Sequence, residues 1–259
     1  MDENLRKFSL DYFSLQGKVA IVTGGNGGLG MAFAIALAKA GADILIAHRS
    51  DDVKEIKDEL AGLGRRAVFY QGDLTQDETR KGLIDCCLAK FGKIDILVNN
   101  AGASIFENFK DYSDDSYRKV IEINLNAVYF LGHEVGKVMM EQGYGKIINI
   151  GSALSFTADE NCPPYVISKH GILGLTKDFS NEMGKYGVQT NAICPGFFKT
   201  NVTANIPQHI KDQISAKLPN GEWGSTSDLM GTVVFLASKA SDYINGWYIN
   251  VDGGYSTIL

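Results

Sequence analysis

Tyr165 and Lys169 stand four positions apart in a stretch, 164–185, whose apolar pattern predicts a helix. That spacing puts both side chains on one face. A tyrosine hydroxyl ordinarily titrates at about pH 10 and is a poor base at neutrality. An ammonium group close by stabilises the phenolate and lowers that value. Ser152 lies thirteen residues before Tyr165, just past an expected strand that ends at Ile150. Its hydroxyl can hold a carbonyl or alcohol oxygen while the tyrosine exchanges a proton with that oxygen. The chemistry in view is acid–base work on a carbon–oxygen bond. A Tyr-x-x-x-Lys spacing is common by chance, so the weight falls on what surrounds it.

A second group of residues can hold a phosphate. Thr23-Gly-Gly-Asn-Gly-Gly-Leu-Gly30 lies between a first expected strand and a first expected helix. Unpaired backbone N–H groups at a helix start carry partial positive charge and hold a pyrophosphate if no Cβ blocks it. Two registers fit: Gly25, Gly27 and Gly30 as GxGxxG, or Gly24, Gly28 and Gly30 as GxxxGxG. In dinucleotide folds a carboxylate about 20 residues on binds the adenosine ribose. His48 and Arg49 occupy that place here. Arg49 can pair with a 2′-phosphate through charge-assisted bonds, which favours NADP over NAD. Asp51 and Asp52 lie slightly later and can serve a ribose instead, or cap the next helix.

The elements that must position these groups alternate along the chain. Short apolar, β-branched runs at 18–23, 42–47, 67–71, 94–98, 146–150, 188–194 and 247–251 read as strands. Helical spacing occupies 28–40, 52–63, 76–91, 114–141, 164–185 and 227–237. Seven strands alternating with helices predict an α/β fold, a doubly wound parallel sheet of Rossmann type. No linker or composition shift divides the chain, so 1–259 is read as a single dinucleotide-binding and catalytic domain. Residues 1–16 read as an N-terminal arm. The polar stretch 197–223 breaks the rhythm and reads as a substrate lid.

Composition narrows the partners. The 259 residues are 45% hydrophobic and 21% charged, enough for a large core and too little charge for a disordered chain. A net charge of −5 argues against a nucleic-acid surface. No apolar run of about 18 residues suits a membrane span. The N-terminal residues lack the apolar core of a signal peptide, and the C-terminal residues match no retention tag. Four cysteines without a CxxC pair read as reduced core residues in a cytoplasmic protein, and the four histidines form no HExxH metal motif.

Taken in order, these motifs resemble the short-chain dehydrogenase/reductase family over about residues 15 to 257. The matching positions are the glycine loop 23–30, Asp73 in Gly72-Asp-Leu, and Asn99-Asn-Ala-Gly102. They continue with Asn124, Ser152, Tyr165 with Lys169, Pro195-Gly196 with Thr200, and Asp252-Gly-Gly254. The resemblance implies Tyr165 as general acid/base, Lys169 lowering its pKa and holding the nicotinamide ribose, Ser152 orienting the substrate oxygen, and Asn124 maintaining a water-linked proton path to Lys169. It implies a cofactor site built from Gly24, Asn26, Gly28, Leu29, Gly30, Arg49, Asp73, Leu74, Asn99, Ala101, Gly102, Tyr165, Lys169, Pro195, Gly196 and Thr200, with no metal. Asn124 as a bridge between helices and Asp73 as a turn residue are the plainer readings.

The implied reaction is hydride transfer between a nicotinamide cofactor, NADP or NAD, and a secondary alcohol or ketone. The stretch 223–246 and the arm resemble the sugar-acid members, the gluconate 5-dehydrogenases and 2-deoxygluconate 3-dehydrogenases. A 3-oxoacyl-carrier-protein reductase and a non-catalytic nucleotide-binding regulator are the alternatives. By family analogy the chain is expected to form a homotetramer.

Overall fold

The computed structural model describes residues 7–257. Seven parallel strands form its central sheet, in the order β3-β2-β1-β4-β5-β6-β9. They are β1 Val19–Thr23, β2 Asp43–His48, β3 Ala67–Gln71, β4 Ile96–Asn99, β5 Gly145–Ile150, β6 Val188–Pro195 and β9 Tyr248–Val251. Two short strands, β7 Phe198–Lys199 and β8 Gly224–Ser225, make a separate parallel pair. The strand order reverses between β1 and β4, which opens a crevice at their carboxyl ends.

Helices cover both faces. They are α1 Gly28–Lys39, α2 Lys54–Ala61, α3 Asp77–Phe91, α4 Asp114–Ile121, α5 Ala127–Gln142, α6 Pro163–Met183, α7 Asn201–Ala204, α8 Gln208–Ser215 and α9 Met230–Ala237. Successive strand residues point to opposite sides. Ala20 and Val22 therefore join one core cluster with Phe33, Leu37, Val233 and Leu236. Val19 and Ile21 join the other, with Leu83, Leu131, Val135 and Phe179. This explains why β1 is apolar from Val19 to Val22: both of its faces are buried. Among the described residues, no helix is long and apolar enough to cross a membrane.

Three local expectations need correction. The helix expected over 114–141 is interrupted by a π-helical turn, Glu122–Asn126, between α4 and α5. The stretch 197–223 is not a plain loop: it holds β7, α7 and α8. The helix expected from 227 begins as a 3₁₀ turn, Thr226–Leu229, and becomes α-helical at Met230. Part of the arm, residues 1–6, lies outside the described residues. The rest contains a 3₁₀ turn at Leu10–Phe13, with Phe13 packed 6.2 Å from the ring of Phe235.

Candidate active site

The glycine loop leaves β1 at Thr23 and enters α1 at Gly28. Gly24 (φ 62°) and Gly28 (φ 52°) adopt left-handed conformations that favour glycine. A Cβ on Gly30 would lie 2.2 Å from the Gly24 carbonyl oxygen. Gly27, by contrast, has an extended backbone and open space around it. The structure thus supports the register Gly24, Gly28, Gly30. Gly25 has its own constraint, since its Cβ would meet Ile46 at 2.7 Å.

Beside this loop, at the carboxyl ends of β1 to β4, lies a cleft of about 670 Å³. Gly24, Asn26, Arg49, Asp73, Leu74, Ala101 and Gly102, all expected at the cofactor, line it. Leu29 instead packs against the core, and Gly28 and Gly30 shape the first turn of α1. The loop, its glycine cradle and the cleft suit a dinucleotide. Asn26 donates from Nδ2 to Ser50 Oγ (2.8 Å) and the Asp52 carbonyl (3.1 Å), tying the glycine loop to the residues after β2. Asp51 accepts from Gln71 at 2.6 Å, and neither Asp51 nor Asp52 caps α2, whose N-cap is Val53. Asp73 Oδ1 accepts from the Thr75 amide and hydroxyl, so Asp73 is a turn residue as well as part of the cleft wall.

Asn99 does not line this cleft. It is buried within the sheet, donating to Asn149 Oδ1 at 2.9 Å; Asn149 in turn donates to Thr176 Oγ1 at 3.0 Å. A buried amide needs such partners, and the strand register places Asn99 beside Asn149. The neighbouring Asn100 was not singled out by sequence, yet it braces the loop. Its Nδ2 donates to the carbonyls of Thr23 (2.9 Å) and Gly24 (3.2 Å). Thr23 Oγ1 accepts from the amides of Asn100 and Ala101.

The second half of the site comes from the π turn, the end of β5 and α6. A π turn fits an additional residue into a helix and is common at functional sites. Here it carries Asn124 inward, 1% exposed. Asn124 accepts from the Ala103 amide (2.8 Å) and donates to the Ala103 carbonyl (2.9 Å) and Ser168 Oγ (3.2 Å). Ala103 lines the cleft and Ser168 sits on α6, so one side chain joins the cleft wall to the helix carrying Tyr165 and Lys169.

Ser152 follows β5 and caps the 3₁₀ turn Ala153–Ser155; its Oγ accepts from the Leu154 amide. Tyr165 lies near it on α6. Burial raises the Tyr165 hydroxyl above its ordinary value, and hydrogen bonding to the Ser152 side chain acts in the opposite direction. Lys169 is on the same face, with Nζ 5.6 Å from the centre of the Tyr165 ring. Its ammonium donates to the Ile150 carbonyl at 2.7 Å, and burial pushes its pKa down to about 8. The expected lowering of the Tyr165 pKa by Lys169 is thus not what this arrangement gives: desolvation dominates the tyrosine.

Pro195, Gly196 and Thr200 do not line the dinucleotide cleft. Pro195 ends β6, and Gly196 packs so closely on Asp252 that a Cβ would approach its Cα to 2.7 Å. Thr200 caps α7, accepting from the Thr203 amide. The four cysteines are free thiols; Cys87, Cys162 and Cys194 are buried and Cys86 partly so.

Comparisons with known proteins agree with this architecture. Residues 24–256 match the short-chain alcohol dehydrogenase family model described as enoyl-(acyl carrier protein) reductase. An uncharacterized oxidoreductase of Escherichia coli, YgcW, is 43% identical over 255 residues, 98% of each chain. The 2-dehydro-3-deoxy-D-gluconate 5-dehydrogenase of Escherichia coli is 42% identical, covering 95% of this chain and 98% of its own. The crystal structure of a gluconate 5-dehydrogenase from Burkholderia cenocepacia with NADP and tartrate superposes with a TM-score of 0.92 at 33% identity, over 97% of this chain and 100% of that one. Fold, motif order and relatives agree, and the chain belongs to the short-chain dehydrogenase/reductase family.

Proposed function

We propose that this oxidoreductase is an NADP-preferring dehydrogenase that interconverts a secondary alcohol and a ketone on a sugar acid. The relatives named above support the substrate class. Arg49, exposed at the lip of the cleft, favours a 2′-phosphate, as do solved relatives with bound NADP. A bound nicotinamide supplies or accepts the hydride. Ser152 holds the substrate oxygen and Tyr165 exchanges a proton with it. Lys169 bonds the nicotinamide ribose and, in its charged form, offsets part of the desolvation that raises the Tyr165 hydroxyl. Asn124 keeps the cleft wall and α6 in register. The supporting observation is its buried amide, bonded to both Ala103 and Ser168.

The stretch 197–223 acts as the substrate lid, and the whole chain works as one domain. Half-exposed Tyr129 and Phe130 on α5 and Ile167 on α6 favour assembly into a homotetramer. The four free thiols suit a cytoplasmic setting.

A panel of sugar acids, polyols and oxoacyl thioesters, each with NAD(H) and NADP(H), tests the reading. Sugar-acid turnover with NADP is the expected result; turnover confined to thioesters favours the acyl-carrier alternative. Tyr165→Phe should keep cofactor affinity, measured by calorimetry, and lose turnover by orders of magnitude. Undiminished turnover in that variant removes Tyr165 from the mechanism.

A further inference from the structure

A second cavity, of about 640 Å³, lies within the segment that joins β6 to α9. Its walls come from β7, α7, α8 and the turn before β8. Lys199 enters from β7, where pairing with β8 sets it opposite Ser225. Lys211 enters from α8; its Nζ donates to the Ala204 carbonyl at 2.7 Å, which leaves two N–H groups for another acceptor. Neither lysine has a carboxylate partner among the described residues. Glu222 also lines the cavity, so two ammonium groups stand against one carboxylate.

Trp223 supplies apolar wall to the cavity. It lines the same cavity and is 8% exposed. Its Nε1–H is buried and has no acceptor. An indole N–H can only donate, and a buried donor left unpaired is costly. That N–H is sealed from the cavity, so the two ammonium groups are the donors that a ligand meets there. The segment itself departs from the end of β6, where Ile193 accepts from the amide of Gly151, the residue before Ser152. The segment that holds the cavity therefore leaves the sheet next to the strand end that precedes Ser152.

We infer that this cavity is the carboxylate subsite of the enzyme. Lys199 and Lys211 bind the acid group of a polyhydroxy acid whose carbinol carbon faces Ser152 and Tyr165. The inference rests on the sugar-acid reading above and adds the residues that select an acid over a neutral polyol. Hydrogen bonds from an ammonium to a carboxylate are among the stronger ones, so each lysine should contribute about tenfold in affinity.

The test uses the full-length enzyme carrying Trp247→Phe, so that fluorescence reports Trp223. D-gluconate and its neutral counterpart D-glucitol are titrated into the NADP-loaded protein. A saturable change with gluconate, absent with glucitol, is expected. Lys199→Met and Lys211→Met should each raise the gluconate Kd and KM about tenfold while kcat stays within about twofold. Lys211→Arg should restore most of the affinity, which separates charge recognition from damage to the segment. Equal responses to the two ligands, or unchanged gluconate affinity in both methionine variants, overturn the inference. Sugar-acid turnover that the lysine variants leave untouched sinks the subsite alone. Turnover confined to neutral polyols or thioesters sinks the sugar-acid reading and the subsite with it.

Discussion

Gly30→Ala should damage this protein and Gly27→Ala should not, although both lie in the same glycine-rich loop. A methyl group on Gly30 would stand 2.2 Å from the Gly24 carbonyl oxygen and 2.5 Å from Asn100 Nδ2. Relieving that clash means overpacking the turn, at about 1–3 kcal/mol. It also pushes Asn100 off the Thr23 and Gly24 carbonyls, losing two hydrogen bonds at about 1 kcal/mol each. Alanine's better helix propensity offsets about 1 kcal/mol. The net loss is about 2–4 kcal/mol, which for a chain of this size lowers Tm by roughly 5 to 15 °C. At Gly27 the φ of −168° suits any residue and nothing lies within 4 Å of a Cβ. A weaker N-cap and a less flexible unfolded chain roughly cancel there, leaving a change below about 1 kcal/mol. Thermal unfolding followed by circular dichroism reads both variants. Equal Tm losses in the two, or none at Gly30, would refute the steric argument and the choice of glycine register.

Other expectations follow from the same geometry. Arg49→Ala should raise KM for NADP about tenfold and leave KM for NAD unchanged, with the effect shrinking as salt is added; a wild-type preference for NAD would overturn the phosphate role. Lys169 is held down to about 8 by burial, so between pH 8 and its ordinary value near 10.5 the unfolded chain binds a proton that the folded one does not. Its contribution to stability therefore rises with pH across that window, by about 2–3 kcal/mol. Denaturant midpoints of wild type and Lys169→Met at pH 7 and pH 10 should show the variant gaining relative stability at the lower pH. Asn124→Ala removes three hydrogen bonds of a buried amide and should cost about 2–4 kcal/mol. Because Ala103 lines the cleft, calorimetry should also show weaker cofactor binding, and unaltered affinity would separate Asn124 from the cleft.

The alternation of strands and helices was legible because the inner strands β1, β2 and β4 are mostly apolar on both faces and α2, α3 and α5 stop at Gly62, Gly92 and Gly143. That Tyr165 and Lys169 share one face of α6 was legible from their spacing. Orientation was not. A four-residue spacing cannot show that the Ile150 carbonyl holds the ammonium of Lys169. Asn99 and Asn100 look alike in sequence, yet strand pairing buries the first beside Asn149 and leaves the second to brace the glycine loop. The short helices α7 and α8 escaped notice because both are brief and largely polar. The π turn escaped because the added residue leaves the apolar pattern over 114–141 nearly continuous.

That additional residue also sets the phase of everything after it. Each residue of an α-helix advances about 100° around its axis. Removing one residue from Glu122–Asn126 to make a straight helix would swing α5 by about that angle relative to α4. Tyr129, Phe130 and the stacked ring of His133 now face outward, while Asn124 reaches inward to Ala103. The two directions are geared together by a single inserted position. A descendant that straightened this helix would surrender either the amide clasp on Ala103 or the outward aromatic stripe.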